Sequence, residues 1–445
     1  MDILGAIPSI GGLAFTIAVF IIALSVIVFV HEYGHYIVGR WCGIDAEVFS
    51  IGFGPVLLSR VDRRGTRWQV AALPFGGFVK FLGDADASSG RDAESLAAMD
   101  AERKRRTMHG APLWARSATV AAGPLFNFAM SILVFAAFFA IRGVAIEEPV
   151  IAELKPLPAP VQELEPGDRI RAVEGRSVDS LVELREAAEE IEPAPTATYE
   201  VERDGARIEA RGPFPFPPVA DGVQPRSAAH SAGLQPGDVI VSIDGVEIHA
   251  FEELRTHVEA AEGAPLALGV WRDGDILDIS LAPRSTDVPT GDGGFEQRWL
   301  IGLSGGSFFE SQTRRAGPVE AVAMGVAQTG MIIEMSLSGL WNMIIGTIST
   351  CNLQGPVGIA EVSGATAQQG LASFIWFIAV LSTAIGLVNL FPIPVLDGGH
   401  LVFHAYEAVA GRPPSERVLN ALMMTGLVLL VSLMVFAVTN DLFCP

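Results

Sequence analysis

The chain has 445 residues, 50% of them hydrophobic and 18% charged, with a mean hydropathy of +0.40 and a formal net charge of -20. This composition fits neither an ordinary soluble protein nor a pure bundle of membrane helices; the length allows about three domains, and the acidic balance excludes a nucleic-acid partner. The charge is uneven: residues 40–116 carry 12 Lys/Arg against 9 Asp/Glu, whereas residues 142–317 carry 16 against 32.

The first predicted element is a membrane span over 10–38. No residue from Ile10 to Val30 is charged, which is long enough for a helix to cross a bilayer. No Lys or Arg precedes Arg40, so the expectation is a retained span with its N-terminus outside rather than a cleaved leader. The run ends in His31-Glu32-Tyr33-Gly34-His35. Histidines at i and i+4 lie on one helix face a turn apart, a spacing that suits two bonds to one zinc ion, and Glu32 between them is placed to take a proton from water. The bland alternative is a histidine pair satisfied inside a bundle, but ionisable groups in a membrane helix are costly and mark function. Cys42 would lie about 10 Å further along the helix axis, too far to share the same ion, so it is read as structural.

Residues 47–83 are strand-like, with Val48–Pro55 and Arg67–Leu73 separated by the turn signal Asp62–Gly65, and Gly76-Gly77-Phe78 following. A hairpin beside the histidine helix either offers an edge to an extended peptide or simply packs there. Residues 84–116 are predicted to form a polar cytoplasmic loop whose basic run, Arg103–Arg106, contacts anionic lipid heads. A second span covers 117–141, free of charge from Ser117 to Ile141.

Beyond it lies an internal repeat. Glu165-Pro166-Gly167-Asp168-Arg169-Ile170 with Glu174-Gly175 is echoed by Gln235-Pro236-Gly237-Asp238-Val239-Ile240 with Asp244-Gly245. A period of about 70 residues implies two copies of one small module, over 145–214 and 218–284. This pattern resembles the PDZ domains of bacterial envelope proteases. The second copy, with Ser227–Leu234 before it, is the closer match; the first has Pro158-Ala159-Pro160 instead. Residues 285–371 are expected to hold a tether and interfacial helices; 319–353, with Glu320 and Glu334 as its only charges, is read as an interfacial or re-entrant helical region against the outer leaflet. Further spans are predicted over 372–391 and 418–439. Four spans with the positive-inside bias place 40–116 and 392–417 in the cytoplasm and 142–371 outside. Three cysteines cannot make a disulfide framework; Cys351 and Cys444 fall on the outer side.

A zinc hydrolase needs a third protein ligand. The candidate is Asp397, in Asn389-Leu390-Phe391-Pro392-Ile393-Pro394-Val395-Leu396-Asp397-Gly398-Gly399-His400, where prolines break a spanning helix. Asp397, His400 and His404 at i, i+3 and i+7 form a competing set, which would leave His31 and His35 unexplained; His400 fits better as a neighbour of the metal ligands, and His404 as a packing residue.

His-Glu-x-x-His in the first span and Asn-x-x-Pro-x-Pro-x-Leu-Asp-Gly before the last resemble the site-2 protease family of intramembrane zinc metalloproteases. Ala122–Asn127, Gly355–Ile359, Gly52-Phe53-Gly54 and Gly76–Lys80 also resemble that family. The tandem PDZ-like modules point to its bacterial regulator-of-sigma-E subgroup. The resemblance implies a multidomain membrane protein: an α-helical bundle of four spans, a membrane-associated β-hairpin, and two α/β PDZ-like domains between spans two and three. It further implies zinc held by His31, His35 and Asp397, Glu32 as general base, and substrate backbone held by Asn389 and by Gly76, Gly77 and Phe78. The implied substrates are single-pass proteins of the bacterial inner membrane, such as an anti-sigma factor after a first periplasmic cut, with the bilayer and peptide ligands of the PDZ domains as further partners. Rival readings are a membrane protease for soluble or prenylated peptides, a PDZ scaffold without activity, and a zinc transporter.

Overall fold

The computed structural model describes residues 7–85, 98–290 and 294–444; residues 86–97 of the predicted cytoplasmic loop lie outside them. The chain divides into two units, Met1–Ala137 with Pro318–Met343 and Thr350–Pro445, and Phe138–Gly317 with Ile344–Ser349.

The first unit is helical apart from one β-ribbon. Besides a short helical turn at Ala101–Arg105 and another at Thr350–Asn352, its helices among the described residues are α1 (Ile7–Trp41), α2 (Leu113–Arg142), α3 (Pro318–Ile344), α4 (Pro356–Gln368), α5 (Leu371–Asn389), α6 (Asp397–Ala410) and α7 (Glu416–Phe443). Five of them, α1, α2, α3, α5 and α7, are long and apolar enough to cross a membrane by length and composition. The four expected spans fall within α1, α2, α5 and α7 apart from the last two residues of 372–391, which follow the end of α5 at Asn389. The fifth, α3, lies where the sequence suggested an interfacial or re-entrant helical region; it packs on α2 through Gly325, where an added Cβ would sit 2.5 Å from the Ile132 carbonyl oxygen.

The predicted hairpin is β1 (Ala46–Val61) against β2 (Arg67–Phe81). The first half of β1 lies between the two halves of β2, with Ile51 opposite both Val70 and Gly77, while its second half pairs back so that Val61 meets Arg67. The ribbon therefore has two edges, 77–81 and 56–61. It is fixed to the helices by a core that joins Tyr36 of α1, Phe49, Val79 and Phe81 of the ribbon, and Ala115 of α2.

Pro392 and Pro394 lie between α5 and α6. There the chain turns tightly: a Cβ on Gly398 would sit 2.2 Å from the Leu390 carbonyl oxygen, and one on Gly399 2.2 Å from that of Ile393. Two side chains would thus be excluded from the start of α6, and Asp397 becomes its first residue. At the other end of α7, Asp441 accepts hydrogen bonds from the amides of Gly355 (2.9 Å), Val357 (3.0 Å) and Gly358 (3.0 Å), capping α4. Cys351 and Cys444 are joined in a disulfide beside this cap. The cysteines thus make one bond, and Cys42 is free.

The second unit holds two modules of one design. Each is a four-stranded sheet: β5 (Arg169–Val173), β6 (Arg176–Ser177), β7 (Ala197–Arg203) and β8 (Ala206–Gly212) in the order β6-β5-β7-β8, then β10 (Val239–Ile243), β11 (Val246–Glu247), β12 (Leu266–Arg272) and β13 (Asp275–Leu281) in the order β11-β10-β12-β13. A helix, Leu181–Glu190 or Phe251–Ala260, occupies the same place in each. The repeated Pro-Gly-Asp has one physical role. Asp168 and Asp238 are buried, each bidentate to an arginine of the third strand: Arg203 in one copy (2.7 Å twice), Arg272 in the other (2.6 and 2.7 Å).

Neither module is complete within its repeat. After β14 (Arg284–Pro289) and β15 (Phe295–Leu300), which pair with each other, a segment supplies β16 (Leu303–Gly305), β17 (Phe309–Ser311) and β18 (Thr313–Arg314), which pair in turn with β9 (Ala220–Val223), β4 (Ile151–Leu154) and β3 (Val144–Ala145). Phe308 and Phe309 are buried in the core of the first module, and Ile301 in that of the second. Part of the expected tether is therefore core.

Candidate active site

α1 carries His31, Glu32 and His35, and α2 sets their position by lying unusually close. Gly34 of α1 faces the Ala122 carbonyl oxygen, to which an added Cβ would come within 2.6 Å; Gly123 of α2 faces the histidines, where a Cβ would lie 2.3 Å from His35 Nε2. A glycine in a helix interior costs about 0.5–1 kcal/mol relative to alanine, and here it provides the space that the two imidazoles occupy. His35 donates from Nδ1 to the Thr119 carbonyl oxygen at 2.8 Å, which turns its Nε2 towards the centre.

Asp397 reaches the same point from the start of α6. Its Oδ2 is 3.1 Å from His31 Nε2 and 3.5 Å from His35 Nε2, and the two Nε2 atoms are 3.2 Å apart. Among the described residues these three form the group that could hold a metal ion. A metal fits: nitrogen and oxygen ligands each about 2.0–2.1 Å from a tetrahedral zinc lie about 3.3 Å from one another, matching the three separations. Asp397 Oδ2 is also buried without a hydrogen bond of proper geometry, and three converging electron-rich atoms repel one another unless a cation lies between them.

The site opens into a cavity of about 320 Å³, lined by these residues and by Glu32, Gly77, Phe78, Asn389 and His400 among others. Glu32 lies against the ribbon's edge: a Cβ on Gly77 would come within 3.1 Å of its Cγ. Of the residues expected from sequence, Gly76 is the one outside the cavity lining; its φ of +133° and the Phe53 ring, 2.6 Å from where a Cβ would sit, explain a glycine at this bend of β2. Asn389 lines the cavity with its Nδ2 bonded to the Ile385 carbonyl oxygen. The competing set of Asp397, His400 and His404 does not form. His404 bonds Ser117 Oγ through Nδ1 at 3.2 Å, so it is a polar wall residue rather than simple packing.

Sequence reasoning gave no role to Thr119, Asn127 or Gly123. A signal for Gly123 was present in Ala122–Asn127, but nothing in one sequence says which helix a glycine will face.

Known proteins are similar to this chain over most of its length. The model of a family described as Peptidase family M50 matches residues 19–433. A protein of Agrobacterium fabrum that bears the name of a zinc metalloprotease is 38% identical, covering 95% of this chain and 94% of that protein. One of Rhizobium meliloti is 37% identical over 97% of each chain. The regulator of sigma E protease of Salmonella typhimurium is 35% identical over 96% of this chain and 98% of its own length.

Proposed function

The chain belongs to peptidase family M50, and from that premise we propose that it is a zinc-dependent intramembrane endopeptidase that cleaves transmembrane segments of single-pass membrane proteins. The observation that carries this reading is the convergence of His31, His35 and Asp397 within 3.1–3.5 Å, with Glu32 on the same cavity.

His31, His35 and Asp397 would hold the zinc ion, which when bound would supply the Lewis acidity that makes water nucleophilic at neutral pH. Glu32 accepts the proton of the attacking water and returns one to the amine nitrogen as the peptide C–N bond breaks. The substrate must first unwind, because the peptide bonds of a membrane helix are hydrogen-bonded and shielded. The edge at Gly77-Phe78 supports this step: its strand pairs with β1 alone among the described residues, so an unwound segment can bond its freed N–H and C=O groups there. Asn389, which lines the same cavity, is the second residue proposed to hold substrate backbone.

The proposed setting is the bacterial inner membrane, crossed four times, with the PDZ-like modules on the periplasmic face and a substrate such as an anti-sigma factor after a first periplasmic cut. The modules would hold back substrates whose outer domains are still bulky. The Cys351–Cys444 disulfide supports this sidedness, because both cysteines fall on the predicted outer side, where disulfides persist, while free Cys42 falls on the reducing side.

The test is cleavage of a tagged single-pass reporter in vesicles by the wild type and by Glu32→Gln at equal bound zinc. The expected fall is about 10²–10⁴-fold. Undiminished cleavage by Glu32→Gln would move the chemistry elsewhere.

A further inference from the structure

Asn127 lies in α2 with no exposed surface, at the point where α1, α2 and α5 meet. Its backbone oxygen accepts from Ser131 Oγ (3.0 Å) and Ser382 Oγ (3.1 Å), and Ser131 also bonds the Ala379 carbonyl oxygen. A Cβ on Gly386 of α5 would lie 3.2 Å from the Asn127 Cβ. The residue is therefore clamped, and its carboxamide has one neighbour of consequence: His31 Nδ1, 3.2 Å from the amide.

The contact has a chemical requirement. A neutral imidazole that offers its Nε2 lone pair to a metal carries its proton on Nδ1. For His35 that proton is received by the Thr119 carbonyl oxygen. For His31 the group in reach is Asn127, whose amide nitrogen faces Nδ1 while its Oδ1 is buried without a partner. Amide oxygen and nitrogen exchange places by a half-turn of the group. Two donors facing each other would repel, so a metal-ready His31 requires the half-turn that brings Oδ1 to Nδ1.

We propose that Asn127 is a positioning residue that fixes the tautomer and ring angle of His31 by accepting its Nδ1 proton, so that both metal-binding histidines are oriented by oxygen acceptors of α2, one from the backbone and one from a side chain. This rests on the reading of His31 as a zinc ligand. Partners of this kind typically change metal affinity by about 10–100-fold when removed.

The test uses the full-length protein in detergent, with zinc affinity measured by chelator competition and the visible spectrum of the Co²⁺-loaded protein as an independent signature of ligand geometry. Asn127→Leu keeps the volume and removes the acceptor; it should weaken zinc about 10–100-fold and alter the cobalt bands. Asn127→Asp keeps the acceptor and should bind zinc at least as tightly as the wild type. Wild-type affinity and spectrum in Asn127→Leu, or weaker zinc binding in Asn127→Asp, would overturn the assignment; the second arm decides it even if the leucine variant does not fold. His31→Ala separates the two levels. If its loss leaves zinc binding intact, the site reading itself fails, whatever the Asn127 variants do.

Discussion

The two units solve the problem of holding a structure in opposite ways. In the helical unit the decisive positions are those where a side chain is missing: Gly34, Gly123, Gly77, Gly398 and Gly399 each stand where a Cβ would strike backbone or a functional side chain. In the second unit the decisive positions are filled: Tyr199, Phe308, Ile240 and Leu268 are buried, and each Pro-Gly-Asp aspartate is matched by an arginine. One region is shaped by close helix approach around polar groups, the other by apolar burial around one ion pair per module. Small additions should therefore damage the first, and small deletions the second.

The largest effect is expected at Gly123. In Gly123→Ala the new methyl would fall 2.3 Å from His35 Nε2 and 2.9 Å from His31 Cε1, so helix or imidazoles must move. Loss of bound zinc and a fall in reporter cleavage of about 100-fold or more are expected, since misplacement by about 1 Å can cost that much. Gly330 on α3 has nothing within 4 Å of an added Cβ. Gly330→Ala should leave zinc and cleavage unchanged, and equal damage from both would break the comparison.

Next is the clamp on α4. Cys351 and Cys444 are 93 residues apart, so their bond restricts a long loop of the unfolded chain. Replacing both by serine should lower stability by about 2–4 kcal/mol, read as a lower melting temperature in detergent under non-reducing conditions. Zinc content should be retained, since the Asp441 cap on Gly355, Val357 and Gly358 persists. Loss of zinc in that variant would show that the clamp and the metal site are coupled.

Deletion in the second unit comes third. Asp238→Ala removes a buried carboxylate and leaves Arg272 without its partner, with an expected destabilisation of about 1–3 kcal/mol. Asp168→Ala should do the same in the first copy through Arg203. Neither should alter zinc affinity, and proteolytic sensitivity of the second unit is the readout. Unequal effects would sharpen the comparison further, because the copies differ in what completes them: Phe308 and Phe309 are core in the first module, Ile301 in the second.

What the sequence disclosed follows the same division. The histidine pair, Asp397, the ribbon and the repeat were legible because each is local: a charge-free run, an i, i+4 spacing, proline and glycine at a helix break, a recurring Pro-Gly-Asp. The contributions of Gly123, Thr119 and Asn127 were hidden because they depend on which face of α2 meets α1, and that face carries no sign of its own. Strands β16, β17 and β18 were hidden for another reason. At two or three residues each they are too short for alternation to register, and β17 and β18 pair with strands more than 150 residues earlier. The disulfide was likewise invisible from cysteine count, because pairing is decided by where α7 ends.

The smallest expected effect lies between the two styles, at the turn of the ribbon. Asp62 accepts hydrogen bonds from the amides of Arg64 (2.8 Å) and Thr66 (3.0 Å), from Trp68 Nε1 (3.1 Å) and from the Tyr36 hydroxyl (3.2 Å). Partial burial pushes its carboxyl pKa up, but the bonds from Trp68, Arg64, Thr66 and Tyr36 outweigh it and hold the group below its ordinary value. A carboxylate depressed on folding contributes stability that is fully present above the unfolded pKa of about 3.9 and is lost as pH falls through the folded value. The ribbon should thus be indifferent to pH between about 5 and 8 and loosen only below about 4. Asp62→Asn keeps an acceptor oxygen but no charge. It should remove that acid-side loss, lower stability slightly at neutral pH, and leave zinc binding untouched, all readable from Trp68 fluorescence during acid titration. An unchanged acid transition in Asp62→Asn would place that transition in other carboxylates and show that the charge of Asp62 does not set the ribbon's acid limit.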